Sequence, residues 1–128
     1  MSYSLLDLAN MDAPAPELVE DGEYILQITN AEKKLFGTGR EGYETLIKIP
    51  SEPNSKLIVF RIFLDMDGDD DRKIKGFARK VQNFFAAFTI TDTEPTTWIG
   101  KEATGILKTV VDSEYGDKNE IRRFITPA

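Results

Sequence analysis

Apolar and polar residues alternate over residues 23–33, where Tyr24, Leu26 and Ile28 interleave with Gln27 and Thr29. A period of two predicts a half-buried strand, opened by Gly22. Gly37 and Gly39 predict a loop. Alternation resumes over residues 43–49, with Thr45, Ile47 and Ile49 on one face and Glu44, Leu46 and Lys48 on the other, until Pro50 and Pro53 end it. Over residues 57–64, Ile58, Phe60, Ile62 and Leu64 share a face expected to be core. Leu57, Val59, Arg61 and Phe63 share the opposite face, which leaves an arginine and a phenylalanine outside. The period then changes. Ile74, Phe77, Val81, Phe84, Phe85 and Phe88 recur at spacings of three, four and seven, which predicts an amphipathic helix over residues 71–88. Aspartates at its start favour it through capping and the helix dipole, and its phenylalanines read as core rather than as a binding stripe. Two more strands follow Pro95, over residues 102–111 and 119–125, joined by a segment with turn chemistry. Trp98, beside a glycine at a strand entrance, reads as a core or end-plug residue.

The resulting order is strand, strand, strand, helix, strand, strand. It predicts a mainly β fold, a five-stranded Greek-key barrel of the OB type with one amphipathic helix between the third and fourth strands, plugging one end. Such barrels commonly bind oligonucleotides on one face and in the loops that frame it. Residues 22–128 are expected to form this domain. Residues 1–21 contain Pro14 and Pro16 in an Ala-Pro-Ala-Pro stretch and are expected to form an extended arm, its start pinned by Leu5, Leu6 and Leu8.

Composition narrows the chemistry. At 128 residues, with 41% apolar and 30% charged positions, the chain has room for a single core. Neither a membrane span nor a secretory signal is visible, so a cytoplasmic protein is expected. Cysteine and histidine are both absent, which removes disulfides, thiolate chemistry, the commonest general base and the commonest metal ligand. An enzyme is therefore disfavoured, and no cofactor or metal is expected. The net charge of −6 is unevenly placed. Residues 1–23 hold Asp7, Asp12, Glu17, Glu20, Asp21 and Glu23 and neither Lys nor Arg, so the remainder of the chain is neutral. Asp65, Asp67, Asp69, Asp70 and Asp71 form a second acidic run, so a locally basic surface is compatible with the acidic total.

Three motifs suggest sharper chemistry and fail. Asp65-Met66-Asp67-Gly68-Asp69 has the opening spacing of a calcium loop, but Asp70 stands where the glycine belongs and Gly76 where the bidentate glutamate belongs. The run reads instead as a helix-initiating acidic turn. A two-metal nuclease would need clustered carboxylates beside lysine or histidine on a strand, in an order the chain does not offer. Gly37-Thr38-Gly39 lacks the glycine spacing and strand-to-helix context of a nucleotide fingerprint.

Several short motifs fall together. They are Gly22 and Tyr24 opening the first strand, Lys33-Lys34 before a glycine-containing loop, Ile99-Gly100-Lys101-Glu102, and Glu114-Tyr115-Gly116-Asp117-Lys118-Asn119. Over most of residues 22–127 the chain resembles a family of small phage-encoded proteins similar to OB-fold single-stranded DNA-binding proteins encoded beside replication and recombination genes. The resemblance implies single-stranded DNA as ligand, action in phage DNA replication or recombination, and a host-cytoplasmic location. Many single-strand binders carry an acidic C-terminal tail for partner proteins; here the acidic segment is N-terminal.

Binding a single strand requires cations that track phosphates and flat side chains on which unpaired bases stack. The loop between the first two strands supplies Lys33, Lys34, Phe36, Arg40 and Tyr43; the outer faces of the second and third supply Lys48, Arg61 and Phe63; the last loop supplies Tyr115 and Lys118. Arg122 or Arg123 extends the track, since only one of two strand neighbours points to a given face. Because every base has a π-face, sequence-tolerant binding is expected. The acidic arm is expected to cover the basic groove or to dock replication or recombination proteins, and exposed edge strands leave room for a homodimer. The alternative is an OB-like protein-interaction module that binds no nucleic acid, with a metal-dependent hydrolase a distant third.

Overall fold

The structure, a computed structural model, describes residues 2–11, 17–37, 39–64, 71–111 and 116–126. The elements run α1 (Leu5–Ala9), β1 (Gly22–Leu35), β2 (Glu41–Lys48), β3 (Ile58–Phe63), α2 (Asp71–Phe88), β4 (Glu102–Val110) and β5 (Lys118–Ile125), with a 3-10 turn at Pro95–Trp98. The strands form one antiparallel sheet in the order β3-β2-β1-β4-β5. β1 is long enough to serve two partners: Gly22 to Gln27 pair with β4, and Gln27 to Leu35 with β2. The sheet is open. β3 and β5 form its two edges and their Cα atoms approach within 8 Å, but no ladder joins them among the described residues.

The alternation read from the sequence sets the core. Leu26 and Ile28 of β1, Thr45 and Ile47 of β2, Ile58, Phe60 and Ile62 of β3, and Ala103 and Leu107 of β4 all face inward and are buried. Thr45, the polar member, donates its hydroxyl to the Phe60 carbonyl at 2.8 Å, so its burial leaves no polar atom unpaired. α2 lays its phenylalanines on this face. Phe84 is fully buried, stacked on Phe60 at 4.7 Å and edge-on to Trp98 and Phe124 at 5.9 and 5.7 Å, and Phe88 packs beside it. Trp98 is 1% exposed and donates its indole N–H to the Asp92 carbonyl at 2.7 Å. Two residues expected in the core lie outside it. Leu64 has passed the end of β3 and is 49% exposed, and Ile74, in the first turns of α2, is 38% exposed. Asp71 opens α2 and pairs with Lys75 at 3.3 Å; the rest of that acidic run lies outside the described residues.

The N-terminal segment departs from expectation at both ends. Leu5, Leu6 and Leu8 sit on α1, whose start is closed by a Ser4/Asp7 capping box, and are 84, 71 and 53% exposed, so among the described residues they do not pin the arm. Anchoring comes later. Glu17 forms a parallel bridge beside Ser55, donating its N–H to the Asn54 carbonyl and accepting from the Lys56 N–H, both at 3.0 Å. Val19 is in the core, and the Asn119 side chain satisfies both its N–H and its carbonyl, at 3.0 Å each. Asp21 accepts from the Thr109 N–H at 2.7 Å. Tyr24 donates to the Glu20 carbonyl at 2.7 Å, and partial desolvation, with Glu52, Glu20 and Asp21 nearby, raises its pKa. Residues 17–21 thus bridge from the entry to β3 across to the start of β5, at one end of the open seam. Among the described residues no helix is long and apolar enough to cross a membrane.

Candidate nucleic-acid interface

The far end of the β1–β2 hairpin extends beyond the core, so its residues are free to build a surface. Its loop closes through the Phe36 N–H donating to the Arg40 carbonyl at 2.9 Å and the Gly39 N–H to the Phe36 carbonyl at 2.7 Å, with Gly39 at φ +80°. Strand parity then places Lys34 and Phe36 on the outer face, where register brings them beside Gly42 and Glu44 of β2 and Arg61 and Phe63 of β3. Gly42 makes the arrangement possible. It is paired with Phe63, and a Cβ there would overlap the Ile62 carbonyl oxygen and crowd the Phe36 ring at 3.0 Å. In the space it leaves, the Phe36 and Phe63 rings meet edge to face at 4.9 Å.

Cations border both rings. The Arg40 guanidinium lies 4.5 Å from the Phe63 centroid, and Arg61 and Lys34 lie 5.6 and 5.9 Å from that of Phe36. Glu44 sits among them, accepting from Arg61 Nε at 2.9 Å and from Lys34 Nζ at 3.3 Å. The Arg61 hydrogen bond, with help from Lys34, holds its carboxyl below the usual carboxylate range against the opposing effect of desolvation. The result is a platform of two half-buried rings under guanidinium planes, with the Glu44 carboxylate competing for Lys34 and Arg61. Such a surface can stack planar groups, on ring or on guanidinium, and pair with phosphates.

Of the residues expected at the site, Lys34, Phe36, Arg40, Arg61 and Phe63 come together here. Lys33 and Tyr43 do not. Both carry core-face parity: Lys33 pairs with Glu41 at 3.4 Å, Tyr43 packs on Trp98 at 5.5 Å, and together they border a depression lined by the acidic Glu32, Asp92 and Glu94. Lys48 is on the outer face but at the other end of β2, opposite Gln27. Lys118 pairs with Glu120 at 3.4 Å and, with Lys56, Leu57, Val59 and Arg61, lines a groove of about 550 Å³ along the seam. Arg122 is displaced by a β-bulge toward α2. Tyr115 lies outside the described residues.

Sequence reading missed Glu44, whose place was visible in the alternation of β2 but whose two partners depend on cross-strand register. It also missed Lys56, Arg79 and Lys80, which in one dimension look like ordinary solvated charges. No protein-family model matches the chain and no curated protein matches it.

Proposed function

We propose that the protein is a non-enzymatic, sequence-tolerant single-stranded DNA-binding protein built on an OB-type barrel, and that it acts in phage DNA replication or recombination. The observation that carries this reading is the Phe36–Phe63 pair flanked by Lys34, Arg40 and Arg61 on one outer face of the sheet. Stacking rings and phosphate-pairing cations are the two requirements of single-strand binding, and here they converge from β1, β3 and the loop after β1. The strand order supports the barrel: a five-stranded OB barrel cut between its third and fifth strands has the order β3-β2-β1-β4-β5, and OB barrels are partly open. The motif resemblance to phage-encoded single-strand binders points the same way.

The reading predicts that a labelled oligo-dT of about 30 nucleotides binds with an affinity that falls steeply with salt, and that the matching duplex binds far more weakly. Anisotropy titrations at two salt concentrations test it; equal affinity for strand and duplex, or binding indifferent to salt, contradicts it.

A second reading is favoured by one feature. Tyr3, Leu5, Leu6, Leu8 and Met11 are all exposed on a segment without a single cation, an apolar patch of the kind that docks proteins. On this reading residues 2–11 recruit a partner protein while the sheet holds DNA. If the chain binds no oligonucleotide, the whole molecule is an interaction module instead.

A further inference from the structure

The polar face of α2 is not evenly solvated. Gly76, Arg79, Lys80 and Asn83 recur at helical spacing and face the bulged part of β5, where Arg122 and Arg123 stand. Together with the rims of Phe60 and Phe124 they enclose a cleft of about 240 Å³. No carboxylate lines it, and Arg79, Lys80, Arg122 and Arg123 form no ion pair among the described residues. Like charges gathered around a concavity repel one another and raise its affinity for an anion. Gly76 adds to the case. A glycine inside a helix is unfavourable, yet nothing lies within 4 Å of where its Cβ would be, so packing does not demand it. Its effect is to widen the cleft.

The cleft is continuous with the aromatic platform. Arg61 borders the Phe36 ring and also lines a smaller pocket of about 140 Å³ on the seam between β3 and β5, which Lys80 and Glu120 line with it. Lys80, with its amine 5.3 Å from the Phe60 centroid, then borders the α2–β5 cleft. A path rich in cations therefore runs from Arg40 and Lys34 over Arg61 and Lys80 to Arg79, Arg122 and Arg123, with Glu120, held by Lys118 at 3.4 Å, the one carboxylate among the described residues lining its seam crossing.

We infer that this cleft is a phosphate-binding station for the same single strand, which leaves the platform, crosses the β3–β5 seam and passes between α2 and β5. The inference rests on the single-strand reading above. It makes binding length-dependent: an oligonucleotide that covers only the platform gains nothing from the cleft, whereas a longer one does.

The test compares dT8 with dT20 against the full chain. Two variants are used: Arg79→Ala/Arg123→Ala, which removes charge, and Gly76→Glu, which puts a carboxylate into the cleft while replacing a helix-breaking residue by a helix former. The gain in affinity from dT8 to dT20 is expected to be about tenfold or more in the natural protein and to fall below about threefold in both variants. The slope of log affinity against log salt for dT20 is expected to flatten by roughly 1.4 on loss of two phosphate contacts. Undiminished length gain in Gly76→Glu, whose fold is the safer of the two, overturns the cleft and leaves the platform standing. An equal loss against a 20-base-pair duplex also overturns it, by making the cleft a general polyanion patch. Failure of the natural protein to bind either oligonucleotide overturns both the cleft and the reading beneath it.

Discussion

Single residues decide how this surface behaves. Glu44 neutralises two platform cations that a phosphate would otherwise use, so Glu44→Gln should tighten single-strand binding by roughly two- to tenfold and steepen its salt dependence, measurable by anisotropy. The ion pairs lie near the surface, so the stability cost should stay within about 1 kcal/mol. Their pH dependence has a definite sign. The folded-state pKa of Glu44 lies below the unfolded value of about 4.3, so its contribution is complete above that pH and is lost as pH falls through the depressed value. Acid titration of Glu44→Gln should lack that component. Thr89 is a separate case. It ends α2 with the Ile90 N–H reaching the Phe85 carbonyl at 2.8 Å and its own N–H the Ala86 carbonyl at 3.3 Å, a Schellman closure whose central residue stands at φ +55°. Left-handed backbone is unfavourable for a β-branched residue. Thr89→Gly should therefore raise the melting temperature by about 2–4 °C. At this scale much was legible: the buried faces of β2 and β3 follow the alternation directly. Tyr43 shows the cost of departing from it. Its parity with Thr45 and Ile47 already placed it inward, and only its position near a loop suggested a surface role.

Elements were legible where periodicity ran unbroken and obscure where the backbone slipped. α2 spans Asp71–Phe88 as its apolar spacing demanded, and all five strands lie where alternation placed them, within one or two residues at their ends. The bulges were not visible. One between Ile28 and Asn30 resets the parity of β1, so that Lys34 rather than Lys33 faces outward; the second, on β5, turns Arg122 toward α2. A bulge adds one residue to one strand and leaves no compositional trace, which is why the α2–β5 cleft could not be read from sequence. Nor did a proline-containing, acidic stretch announce that residues 17–21 are structural. Asn119 reaches them across the start of β5, so Asn119→Ala leaves the Val19 N–H and carbonyl without partners and should destabilise the fold by about 2–4 kcal/mol in urea unfolding. Truncation should divide at the same place. Removal of residues 2–11 should leave the melting temperature within a few degrees, whereas removal of residues 2–21 also takes Val19 from the core and should lower it far more. The shorter deletion is also the one that tests self-masking. It should raise DNA affinity if residues 2–11 cover the groove, and leave it unchanged if they serve a partner protein.

Across the whole molecule, charge is partitioned rather than averaged. The net charge of −6 arises largely from residues 1–23 and the run ahead of α2, while the outer face of β1–β3 and the α2–β5 cleft gather cations, and the β3–β5 seam sets Lys56, Arg61 and Lys118 against Asp117 and Glu120. A strand approaching this side meets attraction that the total charge conceals, and the attraction should weaken with ionic strength over the Debye length, about 10 Å at 0.1 M salt. The fold places this surface at the sheet's open side, where β3 and β5 approach without pairing and side chains from both edges face one groove. The central claim is that the Phe36–Phe63 platform holds unpaired bases. The most direct measurement is the affinity of a 30-nucleotide oligo-dT for the natural protein and for Phe36→Ala/Phe63→Ala, with thermal melting of both proteins recorded alongside. The account predicts a loss of about tenfold or more in the variant, at the roughly 1–3 kcal/mol that one stacked base contributes, with cooperative melting retained. A folded variant that binds the strand as tightly as the natural protein would contradict it.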